Sequence, residues 1–100
     1  MPVFEITAES DAPRGWTFDV RLTDDGGVDL PDPRRLHLAW ADYNLWSPDG
    51  ADPPASVAGA VLTLLLDRRG LDLPTTLDAA VVRRLFPDAD AIIPRLIRPA

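Results

Sequence analysis

The single histidine, His37, is the first residue to consider for chemistry, because an imidazole can act as a general base near neutral pH. A nucleophilic triad would need a serine beside it, and the serines of the chain are Ser10, Ser47 and Ser56. None of them has the flanking glycines of the strand-to-helix turn that exposes a nucleophile in hydrolases. We therefore predict no catalytic residue and interpret His37 as an exposed structural histidine.

Acidic residues are numerous, but their spacing does not match a metal site. The segment 24–29, Asp-Asp-Gly-Gly-Val-Asp, lacks the alternating ligands and closing glutamate of an EF-hand and is typical of a turn. Close pairs such as Asp88 and Asp90 are expected by composition alone in a chain with 14 aspartates. The absence of cysteine excludes thiolate nucleophiles and cysteine-bound zinc. We predict no metal and no cofactor.

Trp40, Tyr43 and Trp46 form the one aromatic cluster of interest in the sequence. Amphipathic rings at this spacing can form a hot spot for another protein, or they can pack in a core that needs large side chains. Both interpretations stay open. An alternative function uses the same region: a small enzyme, or an enzyme accessory subunit, with His37 and a neighbouring aspartate in a shallow pocket near Trp40 and Tyr43.

The net charge of −6 comes from 16 acidic residues against 10 arginines, with no lysine. A lysine-free composition rich in alanine, arginine and proline is typical of a GC-rich bacterial coding sequence. Because phosphate backbones are anionic, a negative surface argues against nucleic acid as a partner. The charge leaves one further alternative, an acidic inhibitor that mimics nucleic acid, which requires the carboxylates to line one extended face.

The sequence contains no segment typical of membrane insertion or secretion. No apolar run reaches the roughly 18 residues expected of a membrane-spanning helix. The first residues, Met1 to Glu5, lack the basic start and apolar core of a signal peptide. We expect a cytoplasmic protein that does not bind membranes.

Three segments of the first half alternate apolar and polar residues, which is the pattern of half-buried strands. They cover residues 3–7, 16–23 and 36–40. A glycine-containing turn and two prolines separate the second segment from the third. The pattern predicts a three-stranded, mostly antiparallel sheet.

Helices are predicted in the second half, over residues 55–69, 78–86 and 88–97. Pro54 suits the first turn of the long helix, and Gly70 suits the position just after its C-terminus. The polar or smallest positions of this helix fall on one narrow line, which we call the polar stripe: Ser56, Gly59, Thr63 and Asp67.

All other sides of the long helix are apolar, so that several partners must cover it. The sheet, the C-terminal helices or another protein molecule could do so. We expect self-association through this broad surface, which includes the following residues: Val57, Val61, Leu62, Leu64, Leu65 and Leu66.

Four features of residues 54–97 occur together: a Leu-Leu-Leu-Asp-Arg helix end, the Leu73-Pro74 connector, Asp78 at a helix start, and the motif Arg-Leu-Phe-Pro-Asp at 84–88. With these features the stretch resembles a group of small uncharacterised bacterial proteins. The chain departs from that pattern at Gly70 and Leu71, where the group has Glu-Pro-like residues. The resemblance implies a long helix followed by a helix that closes on an aromatic-Pro-acidic turn, and it implies no activity.

The sequence as a whole predicts one α+β domain over residues 1–100, in which two or three C-terminal helices pack on the small sheet. We expect a non-catalytic, acidic protein-interaction or regulatory module that binds a protein partner or forms a homodimer. The candidate interaction surface combines the aromatic cluster with three positions of the long helix: Trp40, Tyr43, Trp46, Val57, Val61 and Leu65.

Overall fold

The computed structural model describes residues 3–98 of the 100-residue chain. Within that range the chain forms β1 (Val3–Ala12), β2 (Gly15–Thr23), β3 (Arg34–Ala39), α1 (Trp40–Trp46), α2 (Pro54–Arg69), β4 (Thr76–Asp78), α3 (Val81–Leu85) and α4 (Ala89–Ile97). The strands form one sheet in the order β1-β2-β3-β4. The α+β class predicted from the sequence is confirmed.

The sheet is mixed. Strands β1, β2 and β3 are antiparallel neighbours, whereas β4 runs parallel to β3. A two-residue turn joins β1 to β2, and Arg14 in this turn has a positive φ of 64°. The carbonyl of Arg14 accepts the backbone N–H of Trp40 at 2.7 Å, which fixes the start of α1 beside the hairpin.

A bulge at Thr7 interrupts the pairing of β1 with β2, so that this residue has no direct partner in β2. Beyond the bulge, Glu9 lies opposite Phe18 and Asp11 lies opposite Trp16. Residues that lie directly opposite each other in paired strands project from the same face. The two carboxylates therefore project from the side of the sheet that carries the helices.

The helix-bearing face of the sheet and the surface of α2 form the core. Because apolar residues alternate along β2 and β3, one face of these strands is apolar and packs under α2. Helices α1 and α4 pack against other sides of α2. The fully enclosed side chains of the two layers include Phe18, Val20, Leu36, Leu38, Val57, Val61, Leu62 and Leu65. The chain itself thus covers the apolar sides of α2.

The polar stripe is the part of α2 that remains open. Ser56, Thr63 and Asp67 are exposed, and Gly59 is half-buried. A Cβ atom at Gly59 would lie 3.7 Å from the ring of Phe4, which is an ordinary van der Waals distance. Strand β1 therefore reaches α2 through a single aromatic side chain at this level.

Both ends of α2 follow the rules for helix termini. Pro54 occupies the first turn, where its missing N–H is not needed. Gly70 ends the helix with a φ of 61°, and its N–H donates to the carbonyl of Leu66 at 2.9 Å. Arg68 and Arg69 lie in the last turn, where their charge is favourable to the helix dipole.

The structure corrects the sequence prediction in its details. Strand β4 was not predicted, because the helix expected over 78–86 is replaced by β4 and the shorter α3. Three residues are too few to show alternation, and pairing with β3 decides their conformation. Strand β1 extends to Ala12 rather than ending near Thr7, and this extension was missed because residues 8–12 contain no alternation of large apolar and polar side chains. Strand β3 ends at Ala39, one residue before the end of the predicted third strand, because Trp40 begins α1.

Candidate functional site

An apolar groove of about 530 Å³ lies between the start of β1, the second half of α2 and α4. We call it the β1–α4 groove. Val3 is 54% exposed and Leu96 is 38% exposed at its opening. Ligand pockets commonly have volumes of about 300–1,000 Å³, so the groove can hold a large apolar group. Its apolar walls are formed by Val3, Phe4, Leu64, Leu66, Ile92 and Leu96.

Three polar residues border the β1–α4 groove. The hydroxyl of Thr63 donates to the carbonyl of Gly59 at 2.8 Å. Arg68 is bound by the carboxylate of Asp88 at the start of α4. Asp67 is exposed, and its carboxylate forms no hydrogen bond or ion pair with another residue in the range 3–98. One unpaired carboxylate beside apolar walls favours a ligand that is apolar and carries positive charge nearby.

Arg68 and Asp88 join the end of α2 to the start of α4. The guanidinium donates to both carboxylate oxygens, at 2.8 and 2.7 Å, and lies 5.1 Å from the centre of the Phe86 ring. These hydrogen bonds lower the pKa of the Asp88 carboxyl and raise the pKa of Arg68. The motif at 84–88 therefore has a structural explanation, since Phe86 is buried and Asp88 binds Arg68 at the end of α2.

The three residues of the aromatic cluster have different environments. Trp46 is buried, and its Nε1–H donates to Asp90 at 3.0 Å. Tyr43 is half-buried and packs edge-on against Trp16, with 5.1 Å between ring centroids. Trp40 is 53% exposed. Of the three, only Trp40 presents a largely open ring to a partner.

The three α2 positions of the predicted interaction surface lie in the core. Val57, Val61 and Leu65 are almost completely buried under the sheet and the neighbouring helices. They are unavailable to a second molecule while the fold is intact. The sequence could not distinguish cover by the same chain from cover by another molecule, because both produce an apolar helix surface.

His37 lies on the face of the sheet that points away from the helices. Its Nδ1 is 3.6 Å from Asp78 Oδ2. Strand pairing places it between Thr17 of β2 and Asp78 of β4, so a hydroxyl, an imidazole and a carboxylate occupy one row across the sheet. His37 lines neither the β1–α4 groove nor the grooves beside β4 and on the outer face of the sheet, although its neighbour Asp78 lines the groove beside β4.

Asp42 is a buried carboxylate among charged side chains of four other elements. Its nearest cation is Arg83, at 3.7 Å, and Arg83 also donates to Asp90 at 3.1 Å. Burial raises the pKa of Asp42, and nearby Asp78 adds to this rise, whereas Arg83 opposes it. His37 lies close enough to lower this pKa slightly. The cluster links α1, α3 and α4.

Arg98 holds the loop between α1 and α2 against the end of α4. Its guanidinium donates to Asp49 at 2.8 Å and to Asp52 at 3.1 Å, and Ser47 donates to Asp52 at 2.7 Å. Arg98 and Ser47 lower the pKa of Asp52, while a backbone N–H and Arg98 lower that of Asp49. Both carboxylates are therefore already bound by side chains of the same chain.

The other surface features are less suited to binding. A groove of about 340 Å³ lies between the end of α2, β4 and α3, and one of about 490 Å³ lies on the outer face of the sheet. No group of three His, Asp or Glu side chains in residues 3–98 is arranged to hold a metal ion. Within the same range, no helix is long and apolar enough to cross a membrane.

Sequence reasoning missed the β1–α4 groove, because its walls come from opposite ends of the chain. Phe4 was assigned to a strand face and Ile92 to a helix face, and nothing in their spacing shows that these faces meet. The available signal was that the sheet is too narrow to cover both α2 and α4. Comparison of the chain with known proteins found no matching family model, no matching curated protein and no matching solved structure.

Proposed function

We propose that this protein is a non-catalytic protein-binding module and that the β1–α4 groove receives an apolar side chain of its partner. The observation that carries the proposal is the groove itself, with exposed Val3 and Leu96 at its opening. Apolar side chains that line an open groove contribute binding free energy when a partner removes them from water.

A protein partner fits this groove better than a small molecule does. Pockets for small molecules usually contain several polar groups that fix the orientation of the ligand. Here Arg68 is already bound by Asp88, and Thr63 is bonded within its own helix. Asp67 alone is left for recognition among the described residues, so most of the orientation must come from contacts outside the groove.

The alternatives receive less support. An enzyme that uses His37 would need a substrate pocket at the outer face of the sheet, and the groove of about 490 Å³ on that face is lined by other residues. A nucleic-acid mimic would need carboxylates along one face. Instead, arginines on several elements pair with many of the carboxylates: Arg21, Arg35, Arg68, Arg83 and Arg98. Self-association through α2 would need residues that are buried in the core.

The test compares partner capture by three variants of the full chain. Leu96→Asp places a charge in the groove, and Thr63→Phe fills the groove from the exposed side of α2. Val28→Asp is the matched control, since Val28 is 62% exposed and lies in the β2–β3 loop, outside the groove. Proteins captured from a bacterial lysate would be quantified by mass spectrometry, and thermal unfolding would verify that each variant folds.

We expect a protein that the wild type and Val28→Asp capture and that both groove variants lose. Equal capture by all four chains would overturn the proposal. Native mass spectrometry of the purified wild type provides a second measurement. A co-purifying small apolar molecule, absent from Leu96→Asp, would replace the protein partner with a small ligand.

A further inference from the structure

We infer that the partner binds as a fifth strand along the free edge of β1 and that it is an extended segment with apolar and basic residues. This inference rests on the proposed function, because the apolar side chains of the segment would enter the β1–α4 groove. It adds the conformation of the partner, its charge and its position on the sheet.

Strand β1 has the backbone surface that strand addition requires. It is ten residues long and pairs with β2 on one side, and no described strand pairs with its other side. Most of its residues are exposed. An edge strand presents a row of unpaired N–H and C=O groups, and an extended peptide can satisfy them by main-chain hydrogen bonds.

The β1–α4 groove lies directly beside the first residues of this edge. Val3 and Phe4 of β1 form one of its walls, and Ile92 and Leu96 of α4 form the opposite wall. A strand added next to β1 would project alternate side chains toward the helices. Those opposite the start of β1 would therefore reach the groove without any rearrangement of the sheet.

The bulge at Thr7 divides the helix-side face of β1 into two chemically different parts. Phe4 and Ile6 make the first part apolar. Glu9 and Asp11 make the second part acidic, because the bulge turns them to this side. Both carboxylates are exposed, and neither forms a hydrogen bond or ion pair within residues 3–98.

This division predicts the order of apolar and basic residues in the partner segment. An occupant needs two apolar residues at alternate positions beside Phe4 and Ile6, and two basic residues at alternate positions beside Glu9 and Asp11. Opposite charges that face each other across paired strands are stabilising. Asp67 at the rim of the groove adds a further carboxylate, and the net charge of −6 favours encounter with a basic segment.

A second copy of the chain is a poor occupant of this edge. Antiparallel pairing of two β1 strands about Ser10 would place Glu9 of each copy opposite Asp11 of the other, on the helix-bearing face. Parallel pairing in register would place every carboxylate beside its own equivalent. Like charges that lie directly opposite each other destabilise paired strands. The charge pattern thus disfavours self-pairing in both of these registers, whereas it favours a basic partner.

The experiment uses a synthetic peptide, Lys-Thr-Lys-Thr-Gly-Val-Thr-Leu-Thr, and the full chain labelled with ¹⁵N. Amide hydrogen exchange would be measured along β1 with and without the peptide, and affinity would be measured by titration. A peptide with glutamate in place of lysine is the charge control. We expect slower exchange at alternate amides of β1, and binding that weakens as salt concentration increases.

Two charge-matched variants locate the contact. Glu9→Lys with Asp11→Lys reverses the acidic part of β1, whereas Asp32→Lys with Asp72→Lys makes the same change in net charge at exposed sites elsewhere. We expect the first pair to weaken peptide binding by about tenfold or more and the second pair to have a much smaller effect. All four positions are exposed, and thermal unfolding would verify the fold.

The outcomes separate this inference from the proposed function. If the peptide perturbs Ile92 and Leu96 but leaves β1 amide exchange unchanged, the groove binds a side chain and the fifth strand is refuted. Protection of β1 that increases with protein concentration in the absence of peptide would identify a second copy as the occupant. Equal loss of affinity in both variant pairs would refute pairing with Glu9 and Asp11. If Leu96→Asp retains both capture and peptide binding, the groove proposal itself fails.

Discussion

Replacement of Gly59 by alanine is expected to stabilise the protein, although the sequence places this glycine in a stripe of small residues that suggests close packing. Gly59 lies inside α2, where glycine costs conformational entropy relative to alanine. The nearest atoms to a Cβ at this position belong to the Phe4 ring, at 3.7 and 3.9 Å. The methyl group therefore has room and gains a contact.

The magnitude follows from two contributions. Alanine is favoured over glycine in a helix interior by about 1 kcal/mol. A buried methyl group adds about 0.8 kcal/mol, and about half of this applies here because Gly59 is half-buried. The sum is about 1.4 kcal/mol, which corresponds to roughly 5–10 °C in Tm for a domain of this size.

The assay is thermal and urea unfolding of Gly59→Ala and of Gly15→Ala, a second variant that we expect to be less stable than the wild type. At Gly15 a Cβ would lie 2.0 Å from the carbonyl oxygen of Leu38, a backbone atom that cannot move without breaking the pairing of β2 with β3. We expect Gly15→Ala to lose about 3 kcal/mol or more. The two variants share one chemical change, so the difference between them measures local space.

A lower Tm for Gly59→Ala would refute this reasoning. It would mean that a second molecule approaches the polar stripe too closely for a methyl group, or that Phe4 packs more tightly on α2 than the distances indicate. Sedimentation of both variants would decide between these explanations. If a second molecule contacts the polar stripe, the wild type should sediment as an assembly that Gly59→Ala dissociates, whereas tighter packing of Phe4 leaves the sedimentation unchanged.

Three further variants test the contacts that hold the helices together. Phe86→Ala should cost about 3 kcal/mol in urea unfolding, because the ring is buried and supports the guanidinium of Arg68. Arg98→Ala should reduce stability most near neutral pH, and its difference from wild type should shrink as pH falls, since Asp49 and Asp52 have lowered pKa values and their stabilisation is lost on protonation. Asp42→Asn should show the opposite pH trend: ionised Asp42 opposes folding above its raised pKa, so the variant should exceed wild type in stability near neutral pH and lose this advantage in acid. Both trends are checked by measuring the unfolding free energies of Arg98→Ala, Asp42→Asn and the wild type across the pH range in which carboxyl groups titrate.

Local patterns were sufficient to predict the class of the fold. Alternation along β2 and the apolar surface of α2 each indicate one element, and an apolar face must be covered. Strand β4 could not be predicted in this way, because its three residues pair with β3 only after the chain has crossed the sheet through α1 and α2. The bulge at Thr7 was also hidden, since it changes the faces of Glu9 and Asp11 without changing their residue types.

The candidate site was harder to predict than the fold for a related reason. Trp40, Tyr43 and Trp46 are close in the sequence, yet helix α1 turns one ring to the core and leaves another in solvent. Spacing alone does not indicate which side of a seven-residue helix faces the sheet. Conversely, Phe4 and Leu96 meet across one groove although they are far apart in the sequence. Such surfaces depend on tertiary packing.

The two walls of the β1–α4 groove have a consequence for protein synthesis. One wall is made early by Val3 and Phe4, and the other is made late by Ile92 and Leu96. While α4 is still inside the ribosome, a nascent chain lacks the wall of the groove that Ile92 and Leu96 form. A partner that needs both walls of the groove would not bind such incomplete chains. The proposed binding would therefore require that α4 has been synthesised and has packed against α2.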